Sequence, residues 1–83
     1  MEKVSVRLFA RYAEIAGFTW HEVRLDTPTT VAKVIEHVRK VWPALRDALP
    51  ARPLVAVNLR HARLDDVVKA GDDVALLPPF AGG

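Results

Sequence analysis

The sequence predicts an α+β fold in which one main helix packs across a sheet, and three patterns carry that expectation. Two strand-like stretches open the chain, one long amphipathic segment follows over residues 31–42, and the remainder holds apolar runs too short for further long helices. At 83 residues the chain makes a single small domain. With 51% hydrophobic and 27% charged residues it belongs to the globular class rather than the disordered one.

Val4, Val6 and Leu8 alternate with Ser5 and Arg7, the pattern of a half-buried strand. Phe9 is out of phase with that set, so its ring is expected on the opposite face. Residues 10–16 predict two turns of helix with Tyr12, Ile15 and Ala16 on one side and Gly17 as a left-handed cap. Phe18 to Leu25 is rich in aromatic and β-branched residues and predicts a second strand, paired antiparallel with the first.

Residues 26–30 (DTPTT) supply turn and N-cap chemistry. Val31, Val34, Ile35, Val38, Val41 and Trp42 then fall at helical spacing, with Lys33, Glu36, His37, Arg39 and Lys40 mainly on the other side, and Pro43 closes the segment. Residues 44–49 predict one short helix, and Pro50 and Pro53 stiffen the connector that follows. The unbroken apolar run Leu54-Val55-Ala56-Val57 predicts a strand buried on both faces near the middle of the sheet. Residues 58–63 predict a turn and a short strand around 61–63, residues 70–73 a second turn, and residues 74–77 the last strand.

Composition excludes several chemistries. Without cysteine there is no disulfide scaffold, no thiolate zinc site and no thiol nucleophile. The net charge of +2 forms no concentrated basic stripe, so nucleic acid is not the implied partner. Ser5 is the sole serine and stands in a strand, away from any glycine elbow. His21, His37 and His61 lack metal-ligand spacing, so no metal is expected, and the pairs Asp65-Asp66 and Asp72-Asp73 fit solvated turns. Isolated Gly17 and Gly71 make no phosphate loop, and no bound cofactor is expected. The start of the chain carries no signal-peptide pattern and its longest uncharged stretch, residues 74–83, is too short to span a bilayer; a cytoplasmic protein with no membrane partner is expected.

What remains unusual is the end, Leu77-Pro78-Pro79-Phe80-Ala81-Gly82-Gly83. The paired prolines cannot donate to a ladder, so they divide a folded domain of residues 1–79 from an expected flexible tail of residues 80–83. Residues 80–83 reach about 13 Å when extended, enough to thread a narrow pocket in another protein. Gly82 and Gly83 lack a Cβ, so the backbone fits a channel that larger side chains would block, and the terminal carboxylate arrives unhindered. A carboxylate is a poor electrophile; using it requires activation, most simply as an acyl-adenylate made by a separate ATP-using enzyme.

These residues carry a resemblance. Val6-Arg7-Leu8-Phe9-Ala10, Glu14-Ile15-Ala16-Gly17, Val55-Ala56-Val57-Asn58 and above all residues 71–83 (GDDVALLPPFAGG) resemble the small, sulfur-carrying subunit of molybdopterin synthase, the MoaD family of ubiquitin-like β-grasp proteins. The resemblance covers nearly the whole length and implies a β-grasp fold with a mixed sheet. It further implies that Gly83 is adenylated by an E1-like enzyme at the expense of ATP and converted by a sulfur donor to a thiocarboxylate. The tail, Phe80, Ala81 and Gly82 leading to Gly83, would then enter the large synthase subunit, within a heterotetramer, and deliver sulfur to cyclic pyranopterin monophosphate. Gly83 would be the reacting residue of a carrier that has no catalytic side chains of its own. Carriers for thiazole synthesis and for tRNA thiolation share this ending, as do ubiquitin-like modifiers joined to lysines. The chain departs from the family in Leu76-Leu77, where aromatic residues often precede the prolines.

Phe9, His61, Leu77, Pro78 and Pro79 are the expected partner interface. For Phe9 and Leu77, both out of phase with the core positions of their strands, two readings stay open. They form an apolar partner patch at the root of the tail, or Phe9 caps the edge of the core and Leu77 packs on it. Phe80, beyond the sheet, is expected to be buried only by a partner.

Overall fold

The computed structural model describes residues 1–79. Its elements follow in the order β1 (Glu2–Leu8), α1 (Ala10–Ala16), β2 (Trp20–Leu25), β3 (Thr29–Thr30), α2 (Val31–Val41), α3 (Pro43–Ala48), β4 (Leu54–Val57), β5 (Arg60–Ala62), β6 (Val67–Val68) and β7 (Asp73–Leu77). Five strands form one mixed sheet in the order β2-β1-β7-β4-β5, with β1 and β7 parallel and the other neighbours antiparallel. Helix α2 lies across one face, the β-grasp arrangement.

Alternation decides which side chains meet that helix. Val4, Val6 and Leu8 of β1, Val23 of β2, Val55 of β4, and Val74 and Leu76 of β7 bury against Val31, Val34, Ile35 and Val38 of α2. Leu45 and Leu49 close one end of this core and Tyr12 of α1 joins it. Gly17 ends α1 at φ +86, and its amide donates to the Ala13 carbonyl. The N-terminus of α2 is satisfied twice over. Thr30 Oγ1 accepts from the Lys33 amide at 3.3 Å, and the Val31 and Ala32 amides donate to the Asp66 and Leu64 carbonyls.

Three expectations change. The strand over residues 54–57 is not buried on both faces: Val55 is buried, Val57 is partly covered, and Leu54 stands 46% exposed. Helices cover only one side of this sheet, so a continuous apolar run does not imply two covered faces. The central strand is β7, flanked by β1 and β4, while β4 lies one place from the edge. Finally, Thr29–Thr30 and Val67–Val68 pair as a separate two-stranded ribbon. Two-residue strands are too short to show a period, which is why the sequence gives only turn chemistry there. The remaining boundaries move by one or two residues, such as a second strand that starts at Trp20 and a hairpin strand at 60–62.

Candidate functional site

The helix-free face of the sheet carries Leu77, the last residue of β7, one residue before Pro78. Register places its side chains in rows. One row runs His61, Ala56, Ala75, Arg7, Trp20 across β5, β4, β7, β1 and β2. The small side chains of Ala56 and Ala75 make a low floor in the middle of it. The next row toward the chain exit is apolar. Leu54 stands opposite Leu77, and Phe9 follows directly on Leu8, whose partner in the parallel ladder is Leu76. At the other end the face turns polar, with Ser5 beside Asp73 and Glu22.

Phe9 is the N-cap of α1, in an extended conformation, and is 42% exposed. Leu77 ends β7 and is half-buried. Leu77 and Phe9 thus share, by register, the apolar end of the open face. His61 is exposed in edge strand β5, a full sheet width from Trp20, and lies in the alanine-floored row rather than against Phe9. Pro78 is half-buried and Pro79 exposed. Both line a groove with Arg11, Tyr12, Leu49 and Pro50, so the tail root lies between α1 and the end of α3. Phe80, Ala81, Gly82 and Gly83 lie outside the described residues.

Two exposed apolar residues of this face escape the sequence reading. Leu54 is hidden by the apolar run it begins, although its odd phase relative to Val55 and Val57 is a usable signal. Trp20, 47% exposed, is likewise out of phase with Val23.

Polar groups stiffen the surface rather than act on it. Arg7 Nε pairs with Asp73 Oδ2 at 3.2 Å across β1 and β7, whereas Asp73 Oδ1 is buried and finds no donor among the described residues. The Asp72 carboxylate accepts from the Lys69 amide at 2.8 Å and from Asn58 Nδ2 at 3.0 Å, and these two bonds hold it below the usual aspartate range. Tyr12 packs its hydroxyl where no partner among the described residues reaches it, and burial pushes its pKa up. His21 packs its ring against Phe18 and Trp42, each centroid 5.2 Å away, as an ordinary half-aromatic neighbour. Among the described residues no three His, Asp or Glu side chains come together, and no helix is long and apolar enough to cross a membrane.

Among the described residues the open face gathers an apolar edge, and Pro78 and Pro79 form the root of the tail. The model of the ThiS family matches residues 6–83. The molybdopterin synthase sulfur carrier subunit of Mycobacterium tuberculosis is 36% identical over 84 residues, covering all of both chains. Among solved structures, small archaeal modifier protein 1 of Haloferax volcanii superposes with a TM-score of 0.88 at 29% identity, over 96% of this chain and 100% of that one. A putative molybdopterin converting factor subunit 1 from Pyrococcus furiosus gives 0.84 at 29% identity, over 96% and 100%.

Proposed function

This chain belongs to the ThiS family, and from that membership we propose that it is the sulfur-carrier subunit of a molybdopterin synthase, holding sulfur at Gly83 as a C-terminal thiocarboxylate for dithiolene formation in molybdenum cofactor biosynthesis. The observation that carries the reading is the end-to-end match to a molybdopterin synthase sulfur carrier subunit at 36% identity.

The chemistry follows from the terminal group. The Gly83 carboxylate attacks the α-phosphate of ATP on an E1-like enzyme and pyrophosphate leaves. The acyl-adenylate so formed is a good electrophile. The terminal sulfur of a donor persulfide attacks its carbonyl and AMP departs; a thiol then cleaves the acyl disulfide so formed, releasing the glycine as a thiocarboxylate and leaving the donor sulfur in a disulfide. In the large synthase subunit that sulfur passes to the pterin precursor and the carboxylate is regenerated by water. This chain's part is presentation. The open face docks through Phe9, Leu54 and Leu77, Pro78 and Pro79 direct the chain off the sheet, and Phe80 to Gly82 thread the partner's channel. All of this would take place in the cytoplasm.

Intact mass after incubation with the activating enzyme, ATP and a sulfur donor tests the proposal. The expected product gains the oxygen-to-sulfur increment, localised to Gly83 by fragmentation, and a variant lacking Gly82 and Gly83 gains nothing. An unmodified mass under conditions that thiolate another carrier refutes it. A second reading is favoured by the likeness to small archaeal modifier protein 1: attachment of Gly83 to lysines of other proteins, which branched Gly-Gly remnants on cellular lysines would reveal.

A further inference from the structure

Leu59 carries two costs that the free subunit does not recover. It is 92% exposed, more than any other large apolar side chain among the described residues. Its backbone stands at φ +70, in the left-handed region. With Asn58 at φ +51 it forms the two-residue connection of the β4–β5 hairpin, whose ladder closes at the Val57–Arg60 pair. Such connections require positive φ at both positions and are most often Asn-Gly. Asn58 suits its place, but Leu59 occupies the one where glycine would avoid both the strain and the wetted isobutyl group.

The tip is also firmly mounted. The Asn58 amide donates to the Asp73 carbonyl at 2.8 Å, Asn58 Nδ2 donates to Asp72 Oδ1 at 3.0 Å, and the Asp73 amide donates to Asn58 Oδ1 at 2.9 Å. An apolar side chain held out from a rigid turn loses little freedom on entering a pocket. Leu59 and Phe9 line one open groove together with Arg7, Asn58 and Asp73. By register Phe9 also stands at the apolar end of the open face, next to the row of Leu54 and Leu77.

We propose that Leu59 is an anchor of partner recognition, entering an apolar socket on the subunit that receives the tail while Phe9 packs on the socket's rim. The inference rests on the carrier reading and adds a residue that fixes affinity for the partner. Backbone strain retained at an exposed leucine is accounted for when the bound state, not the free one, sets the residue.

The test is calorimetric titration of the large synthase subunit with the full chain and its Leu59→Gly and Leu59→Met variants, alongside their melting temperatures and sedimentation. Leu59→Gly is expected to keep or raise the melting temperature while weakening binding about tenfold or more, the loss typical of a buried anchor, and Leu59→Met to bind within roughly threefold of the parent because it keeps an apolar side chain of similar size. Undiminished binding by Leu59→Gly overturns the inference and leaves the carrier reading intact. A folded parent chain that does not bind the large subunit overturns the carrier reading and this inference with it. Self-association of the parent that Leu59→Gly abolishes, with subunit affinity unchanged, assigns the leucine to a second copy of this chain and also overturns it.

Discussion

Leu54 and Leu77 stand opposite one another on the β4–β7 ladder, on the face of the sheet that no helix covers, and β7 ends there, one residue before Pro78. Leu54 is nearly half exposed although it opens an apolar run. In the proposed function, a pair of leucines beside the root of the tail would let docking and tail insertion occur in one binding event. Replacing Leu54 with Ser is expected to weaken association with the large subunit about tenfold, the loss of one interface anchor, and to shift the thermal midpoint little. Titration calorimetry and a melting curve on the same preparation separate the two effects.

The opposite face behaves as a core. Leu76 is fully buried in the central strand, paired with Leu8 on one side and Val55 on the other. Leu76→Ala removes buried methyl groups from a site that backbone on both sides prevents from collapsing. The expected cost is about 3 kcal/mol, a large share of what a domain this small possesses. Urea unfolding measures it directly.

Gly17 offers a purely conformational test. A Cβ built there meets nothing within 4 Å, yet its φ of +86 closes α1 in the left-handed region. Gly17→Ala is therefore expected to destabilise by about 1 kcal/mol with no repacking, and Gly17→Asn by less, since asparagine tolerates that region better. Equal losses for the two variants would show that something other than backbone conformation matters at this cap.

The Asp72 carboxylate gives the stability a pH dependence of definite sign. The Lys69 amide, first, and the Asn58 side chain, second, lower its pKa in the folded chain. A carboxylate whose folded pKa lies below its unfolded one stabilises fully above the unfolded value, and that contribution drains away as pH falls through the folded value. Glu2, bonded by the Thr27 hydroxyl and amide at 2.7 and 3.0 Å, acts in the same direction from the exposed surface. Asp72→Ala is thus expected to lower the urea midpoint at neutral pH, and the gap to the parent is expected to close in the acid range. A gap that stays constant from neutral to acid pH would contradict the linkage.

Much of the architecture was legible because it rests on local patterns. The β1 alternation, the helical spacing of Val31, Val34, Ile35 and Val38, Gly17 as a cap and Pro43 as a break each follow from neighbouring residues, and each stands where expected. The β3–β6 ribbon could not be read that way. Thr29–Thr30 and Val67–Val68 are strands only because distant segments meet beside the start of α2. The parallel placement of β7 beside β1 could not be read from periodicity either.

The interface divides along the same line. From sequence alone came the phase of Phe9 and Leu77, the proline pair and the Gly-Gly ending, since phase and residue type are properties of a chain read in order. Only the tertiary structure decided which face helices cover, and with it that Leu54 is a surface residue, that His61 sits in a different row from Phe9, and that Leu59 fills a turn position made for glycine. Burial and register arise when separate segments stack, so a residue's neighbours in space fix them and its neighbours in sequence do not.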